Sequence, residues 1–422
     1  MQTGPLSVTM GRNSPTEVTT VKKKEYKPLG LYIHIPFCKS KCVYCDFYSL
    51  PGNEEKMDRY VSALCRQLAE IAPRTTAHEV DTVYFGGGTP SWLGGKRLRQ
   101  ILKTVEKHYR LAKKPEITLE ANPDSAGDWR ALRALRRAGF NRLSLGVQSA
   151  DDEQLQKLGR PHTFAQAEAA VAAARRAKIR NLSLDLIYGL PGQTMESWRD
   201  TVEKAAALAP EHLSCYGLKV EEGTPLWDMQ GDLDLPDDDA QADMYLWAAE
   251  RLGELGYQQY EISNFAKPGY ESRHNLKYWT LGEYAGFGPG AHSDLGDVRY
   301  AYVRDLDAYC AGVENQGDIL SENERIPVRE RDVEYIMLGL RITKGISRQE
   351  FEYRFRLPFG PVQEVLERFG KSGHAALYGG RWHLTPEGFL LSNQIIGQCL
   401  EALAGEKLRR EEAAANHDYR VR

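Results

Sequence analysis

Between Leu31 and about residue 220 the chain repeats one pattern. Short apolar runs, LYIHI (31–35), DTVYF (81–85), EITLE (116–120), RLSLGV (142–147), LSLDLIYG (182–189) and HLSCYGL (212–218), are separated by longer segments of helical period. Strands that alternate with helices predict β-α units and a parallel sheet. Six units fall two short of a closed eight-stranded barrel, so the expectation is a partial, six-stranded parallel β/α barrel, open on one side to admit a large ligand.

Alternation within each run assigns faces, because successive side chains of a strand point to opposite sides. Leu31, Ile33 and Ile35 are expected to meet the covering helices, with Tyr32 and His34 turned inward. The same rule turns Thr118 and Glu120, then Ser144, Gly146 and Gln148, then Ser183 and Asp185 into the barrel. These polar positions gather toward the C-terminal halves of the strands, where barrel enzymes build their sites.

On either side of this region the pattern changes. Residues 1–27 are polar and end near the basic run Lys22, Lys23 and Lys24, which predicts a disordered leader. The barrel is placed at 28–300, a linker at 301–326, and a small winged-helix-like domain at 327–402. The last of these opens with three helical segments (330–342, 346–355 and 360–373) and continues with an extended pair about a Gly-Gly turn; residues 403–422 form a charged tail. Composition adds only exclusions. With 42% hydrophobic and 27% charged residues and a formal net charge of −3, the chain is ordinary globular material with no electrostatic case for nucleic acid, even in the C-terminal domain. No apolar span suits a membrane helix or a secretory signal, so a cytoplasmic protein without an integral membrane segment is expected.

Cysteine usage is the strongest chemical signal. Three of the seven, Cys38, Cys42 and Cys45, lie within eight residues as CxxxCxxC directly after the first strand, whereas Cys65, Cys215, Cys310 and Cys399 are scattered. Clustered thiols without a disulfide framework point to metal ligation. Soft thiolates suit an iron–sulfur cluster, and three of them on a [4Fe–4S] cluster leave one iron open; a zinc site completed by His34 or Asp46 is the alternative. The second run ends in Gly86, Gly87 and Gly88, whose lack of Cβ lets backbone approach a ligand closely, although a plain strand-to-helix turn would read the same way.

The cysteine loop HIPFCKSKCVYC and the strand-borne YFGGGTP resemble the radical S-adenosylmethionine (SAM) superfamily in order and position. The resemblance implies a [4Fe–4S] cluster on Cys38, Cys42 and Cys45. It also implies SAM bound at the open iron and cleaved by electron transfer to a 5′-deoxyadenosyl radical. EANPDS, GFNRLSLGVQS and LIYGLPGQT narrow the likeness to the group that contains oxygen-independent coproporphyrinogen dehydrogenase and the heme chaperone HemW, over roughly residues 30–400. By that resemblance Tyr32, Gly87, Gly88, Thr89 and Glu120 contact SAM, and Gln148, Arg160 and Asp185 match a second SAM site of the dehydrogenase.

Two features separate the members of this group. The dehydrogenase continues its motif as CxxxCxxCxC, but here Phe47 stands at the last position; HemW-like proteins carry phenylalanine there and an HNxxYW motif, present as His274, Asn275, Tyr278 and Trp279. A neutral imidazole can ligate heme iron while aromatic rings cover the macrocycle, and Arg273 and Lys277 suit propionates. The expected function is therefore a carrier that binds heme and passes it to apo-hemoproteins such as respiratory cytochromes, served by a reductant protein. The alternative is oxidative decarboxylation of coproporphyrinogen III.

Overall fold

The computed structural model describes residues 25–229, 231 and 233–421. Residues 1–24, most of the expected leader with its lysine run, lie outside them. Six parallel strands appear in the expected order: β1 (Lys27–Ile35), β2 (His78–Gly87), β3 (Leu111–Ala121), β4 (Arg142–Gln148), β5 (Asn181–Tyr188) and β6 (His212–Gly217). Helices of the intervening segments cover their outer face. Several of them start where a side chain satisfies a free backbone N–H: Asn53 accepts from Lys56 to begin Glu54–Ile71, and Thr163 forms a reciprocal box with Gln166 to begin Phe164–Arg176. Leu31, Ile33 and Ile35 are fully buried in the core between sheet and helices.

The strand count requires correction. The sheet is mixed and unclosed, with twelve strands rather than six. Beyond β6 come β7 (Gln258–Gln259) and β8 (Asn264–Ala266); beside β1 lies β9 (Tyr284–Phe287), parallel to it, followed by antiparallel β10 (His292–Leu295), β11 (Val298–Tyr302) and β12 (Leu320–Arg325). These strands are two to six residues long, too short for a period to register, and β12, LSENER, is exposed at every position. The segment 301–326 is accordingly no linker. It holds a helix, Leu306–Asn315, as well as the edge strand β12.

The C-terminal region packs a second core around Ile336, Phe351, Phe359, Leu366 and Ile395. Its helices Asp332–Gly339, Arg348–Phe355 and Gly360–Lys371 accompany a three-stranded sheet of β13 (Ile346–Ser347), which falls between the first two helices, β14 (Ala375–Tyr378) and β15 (Arg381–Leu384). Gly379 and Gly380, both at positive φ, turn β14 into β15. The closing helix runs Ser392–Val421, so the expected charged tail continues it. Among the described residues no helix is long and apolar enough to cross a membrane.

Among the described residues the ion pairs Arg331–Asp294 and Arg299–Glu334 (2.8 Å) tie the two cores together. Arg331, just before the second region's first helix, grips Asp294 of β10 with both terminal nitrogens at 2.6 and 2.7 Å, and the two side chains are only 7% and 10% exposed. Arg331→Met leaves that carboxylate with Arg299 alone, at 3.4 Å. Loss of about 3 kcal/mol of stability is expected, read as a lower denaturant midpoint.

Candidate functional site

Pairing registers build the barrel interior in layers. Tyr32, Tyr84, Thr118 and Arg142 lie side by side on β1 to β4, and Glu120, Ser144, Ser183 and His212 form the next rung on β3 to β6. Above these rungs the cysteine loop closes the C-terminal end. It is pinned at its base by Cys38 N–H to the Leu50 carbonyl (3.1 Å) and at its tip by Val43, which donates to Leu158 (3.2 Å) and accepts from Leu226 (2.9 Å).

A cavity of about 550 Å³ lies beneath the loop, and Cys38, Cys42 and Cys45 all line it. Gly87, Gly88, Thr89, Glu120, Gln148, Arg160 and Asp185 line the same space. The Cys38 sulfur sits 3.3 Å from the Thr89 hydroxyl, and Arg160 Nη1 donates to the Cys42 sulfur at 3.3 Å. Arg160 is no solvated surface arginine: its Nη2 also donates to Asn122 (2.8 Å) and to the Gly146 carbonyl (2.7 Å).

The donor set fits an iron–sulfur cluster. Burial first, and then the neighbouring Cys42 and Cys38, hold the Cys45 thiol above its usual pKa, while the Phe47 N–H pulls it down; a cationic metal group would reverse the repulsion among three thiolates. The mononuclear alternative lacks its fourth ligand. His34 spends one ring nitrogen on the Tyr32 hydroxyl and the other on the Tyr48 carbonyl, both at 3.0 Å, and Asp46 is exposed beside Arg304. Among the described residues no three His, Cys, Asp or Glu side chains converge on a single-ion position.

Burial raises the Glu120 carboxyl to about 7, against the pull of the Tyr84 hydroxyl (2.6 Å) and the Gly87 N–H (3.2 Å), and nearby Asp185 adds to the rise. Asp185 is likewise held above its ordinary value by burial, although the hydroxyls of Ser214 (2.7 Å), Ser144 (3.0 Å) and Ser183 (3.2 Å) donate to it. A cationic guest beside them would favour the ionised form of both carboxyls. The glycines serve packing as well as access. A Cβ on Gly87, at φ +110°, would stand 2.6 Å from the His34 ring, and one on Gly88 would stand 2.7 Å from the Phe37 carbonyl oxygen.

Tyr32 faces inward but does not line the cavity; it lies toward the N-terminal end of the barrel, stacked 6.3 Å from Tyr84 and 6.4 Å from His274. The HNxxYW residues sit on a helix, Arg273–Trp279, begun by Ser272 and held by Glu116, which accepts both the Arg273 and His274 N–H groups. His274 is 1% exposed. Its Nδ1 meets Thr82 and its Nε2 meets Tyr278, each at 2.8 Å, and burial lowers its pKa to about 3, so the ring is neutral. Lys277 is buried against Asp81 at 2.8 Å rather than free for a propionate. Of the four motif residues only Asn275 lines the cavity; Trp279 is half-buried away from it.

Further residues complete the site. Tyr84 and Arg142 line it, and stepping back two positions from Gly86 and Ser144 along the inward face would have found both. Asn122, which donates to Thr89 at 3.3 Å and accepts from Arg160, stands in the EANPDS segment.

Comparison with known proteins gives a consistent assignment. Residues 32–205 match the radical SAM superfamily and residues 326–391 the HemN C-terminal domain. The heme chaperone HemW of Bacillus subtilis is 35% identical over 376 residues, 88% of this chain and 99% of that one. Its Escherichia coli counterpart is 36% identical over 371 residues, covering 87% and 97%. Among solved structures, coproporphyrinogen III oxidase (HemN) from Escherichia coli, a radical SAM enzyme, superimposes with a TM-score of 0.77 at 26% identity over 89% of this chain and 90% of that one. A chain that matches these HemW proteins over nearly their whole length, and gathers three clustered cysteines with a polar lumen under one loop, belongs to the HemW family of radical SAM proteins.

Proposed function

We propose that this chain binds heme next to a [4Fe–4S] cluster and SAM, and hands the heme to apo-hemoproteins such as respiratory cytochromes in the cytoplasm, with a reductant protein as electron source. The observation that carries this reading is Phe47. It stands where the dehydrogenase has a cysteine, lines the cavity, and exposes 67% of its surface at the mouth. An exposed ring beside a cofactor chamber suits the face of a macrocycle. Cys38, Cys42 and Cys45 would hold the cluster; Gly87, Gly88, Thr89 and Glu120 would hold SAM, with Tyr32 supporting Tyr84 behind them; Gln148, Arg160 and Asp185 would serve a second polar guest. When bound, the cluster supplies the electron that breaks a carbon–sulfur bond of SAM.

His274 is proposed as the axial ligand of heme, with Asn275, Tyr278 and Trp279 around it. Its neutral ring has a lone pair to offer, yet Nε2 is held by Tyr278 and the ring is sandwiched 5.1 Å from Tyr84. Ligation therefore requires the helix Arg273–Trp279 to swing outward. The second reading, a coproporphyrinogen dehydrogenase, draws support from the close superposition on HemN and from Gln148, Arg160 and Asp185 on one cavity wall. An anaerobic assay with coproporphyrinogen III, SAM and dithionite separates the two: heme binding without porphyrinogen consumption supports the carrier, whereas steady protoporphyrinogen formation replaces it.

Heme titration of the wild-type chain is expected to give a saturable Soret shift. His274→Ala should weaken binding at least tenfold, while Tyr278→Phe, which frees Nε2, should strengthen it; an unchanged titration in both variants removes His274 from the heme site. Cys42→Ala should abolish the visible absorbance of the reconstituted cluster at unchanged helix content, since two thiolates hold it poorly. SAM affinity should depend on pH through Glu120. The carboxyl is neutral below about 7 and anionic above it. Affinity for the cationic guest should accordingly rise several-fold from pH 6 to 7.5, and Glu120→Gln should flatten the rise, as equilibrium dialysis would register.

A further inference from the structure

The floor of the cavity carries a charge that the foregoing roles leave unused. Arg142, the first residue of β4, lines the cavity and is only 2% exposed. Its guanidinium forms neither a hydrogen bond nor an ion pair with any described residue, and Nε is buried without a partner. Next to it in register on β3, Thr118 is fully buried and its hydroxyl is also without a partner. From the opposite side Asn275 reaches the cavity, and its carboxamide is engaged by no described residue.

An unpaired guanidinium is among the most expensive groups to bury, because it cannot discharge itself as a lysine can. Buried polar groups are paired in the great majority of cases, so an unpartnered guanidinium that lines the chamber calls for a partner. Glu116 and Asp185 influence Arg142 through space but do not pair with it: Glu116 is committed to the N–H groups of Arg273 and His274, and Asp185 to three serine hydroxyls. The missing partner has to accept hydrogen bonds, carry negative charge and arrive from the cavity. A carboxylate does all three, since the guanidinium fork matches its two oxygens and the Asn275 amide, which lines the same cavity, can donate as well.

We propose that Arg142, with Asn275, forms a carboxylate-binding subsite at the cavity floor, which receives a carboxylate of the ligand occupying this chamber. The proposal deepens the heme and SAM reading and rests on it for the identity of that ligand. Two sources share the chemistry, the methionyl carboxylate of SAM and a propionate of heme.

The test is Arg142→Met in the full-length, cluster-reconstituted chain, measured by equilibrium binding and by thermal unfolding. Loss of one bidentate charged contact should weaken the carboxylate-bearing ligand about 10- to 100-fold. Heme dimethyl ester and decarboxylated SAM distinguish the sources. If the propionate is the guest, the variant loses affinity for heme and the ester binds both proteins equally weakly; if the methionyl carboxylate is the guest, the same holds for SAM and its decarboxylated form. Sodium propionate serves as a probe independent of both. It should raise the melting temperature of the wild type and leave the variant unmoved, even if neither heme nor SAM binds, an outcome that would sink the functional reading but keep the subsite. Without ligand the variant should melt no lower than the wild type, because it loses an unpaired charge. Unchanged affinity for heme, SAM and propionate together, with a lowered melting temperature, would make Arg142 a structural counter-ion to Glu116 and Asp185 and overturn the proposal.

Discussion

Two backbone hydrogen bonds, from Gly88 N–H to the Ile35 carbonyl and from Thr89 N–H to the Phe37 carbonyl, each 2.8 Å, press the end of β2 against the segment that leaves β1. Contact this close is possible only because position 88 has no side chain. The cysteine loop then starts from a fixed base, Thr89 comes within reach of Cys38, and Gly87 offers its N–H to Glu120. A methyl group there would lift the loop from the strand and separate the thiols from the polar wall they share. The cavity thus depends less on any one ligand-binding side chain than on the absence of one.

The lumen beneath it obeys a different economy. Parallel strands aim every second residue inward whether or not the interior is wet, so the polar residues that alternation puts there have to satisfy one another or await a guest. Most do satisfy one another. Tyr84 bonds Glu120, three serines bond Asp185, and Ser183 bonds His212, which in turn reaches Tyr260. Burial then discharges Glu120 toward neutrality at physiological pH and keeps His274 and His212 uncharged. Among the described residues the guanidinium of Arg142, which cannot change its charge, has neither a hydrogen bond nor an ion pair to balance it.

How much of this was legible in the sequence follows from the same physics. The six parallel strands and their inward residues could be read because each strand carries a full period of alternation against an apolar outer face. Strands β7 to β12 could not, being short or, like β12, exposed on both faces, so their existence depends on neighbours distant in the chain. The cysteine spacing and the positions of Glu120, Gln148 and Asp185 lie in local motifs and were accessible. The surroundings of His274 were not: its partners Thr82 and Glu116 lie 192 and 158 residues away, and no local pattern says that the motif helix turns its histidine into the barrel. Arg142 needed only the step of two from Ser144, but its lack of a partner is a property of the assembled lumen.

The aromatic stack at the N-terminal end has one more consequence. Tyr32, Tyr84, His274, Tyr278 and Tyr284 pack ring on ring, with successive centroids 4.7–6.4 Å apart. They stopper the barrel on the side away from the cysteines. In a sheet that does not close on itself, these rings give the lumen a wall at that end which the strand ladder does not supply.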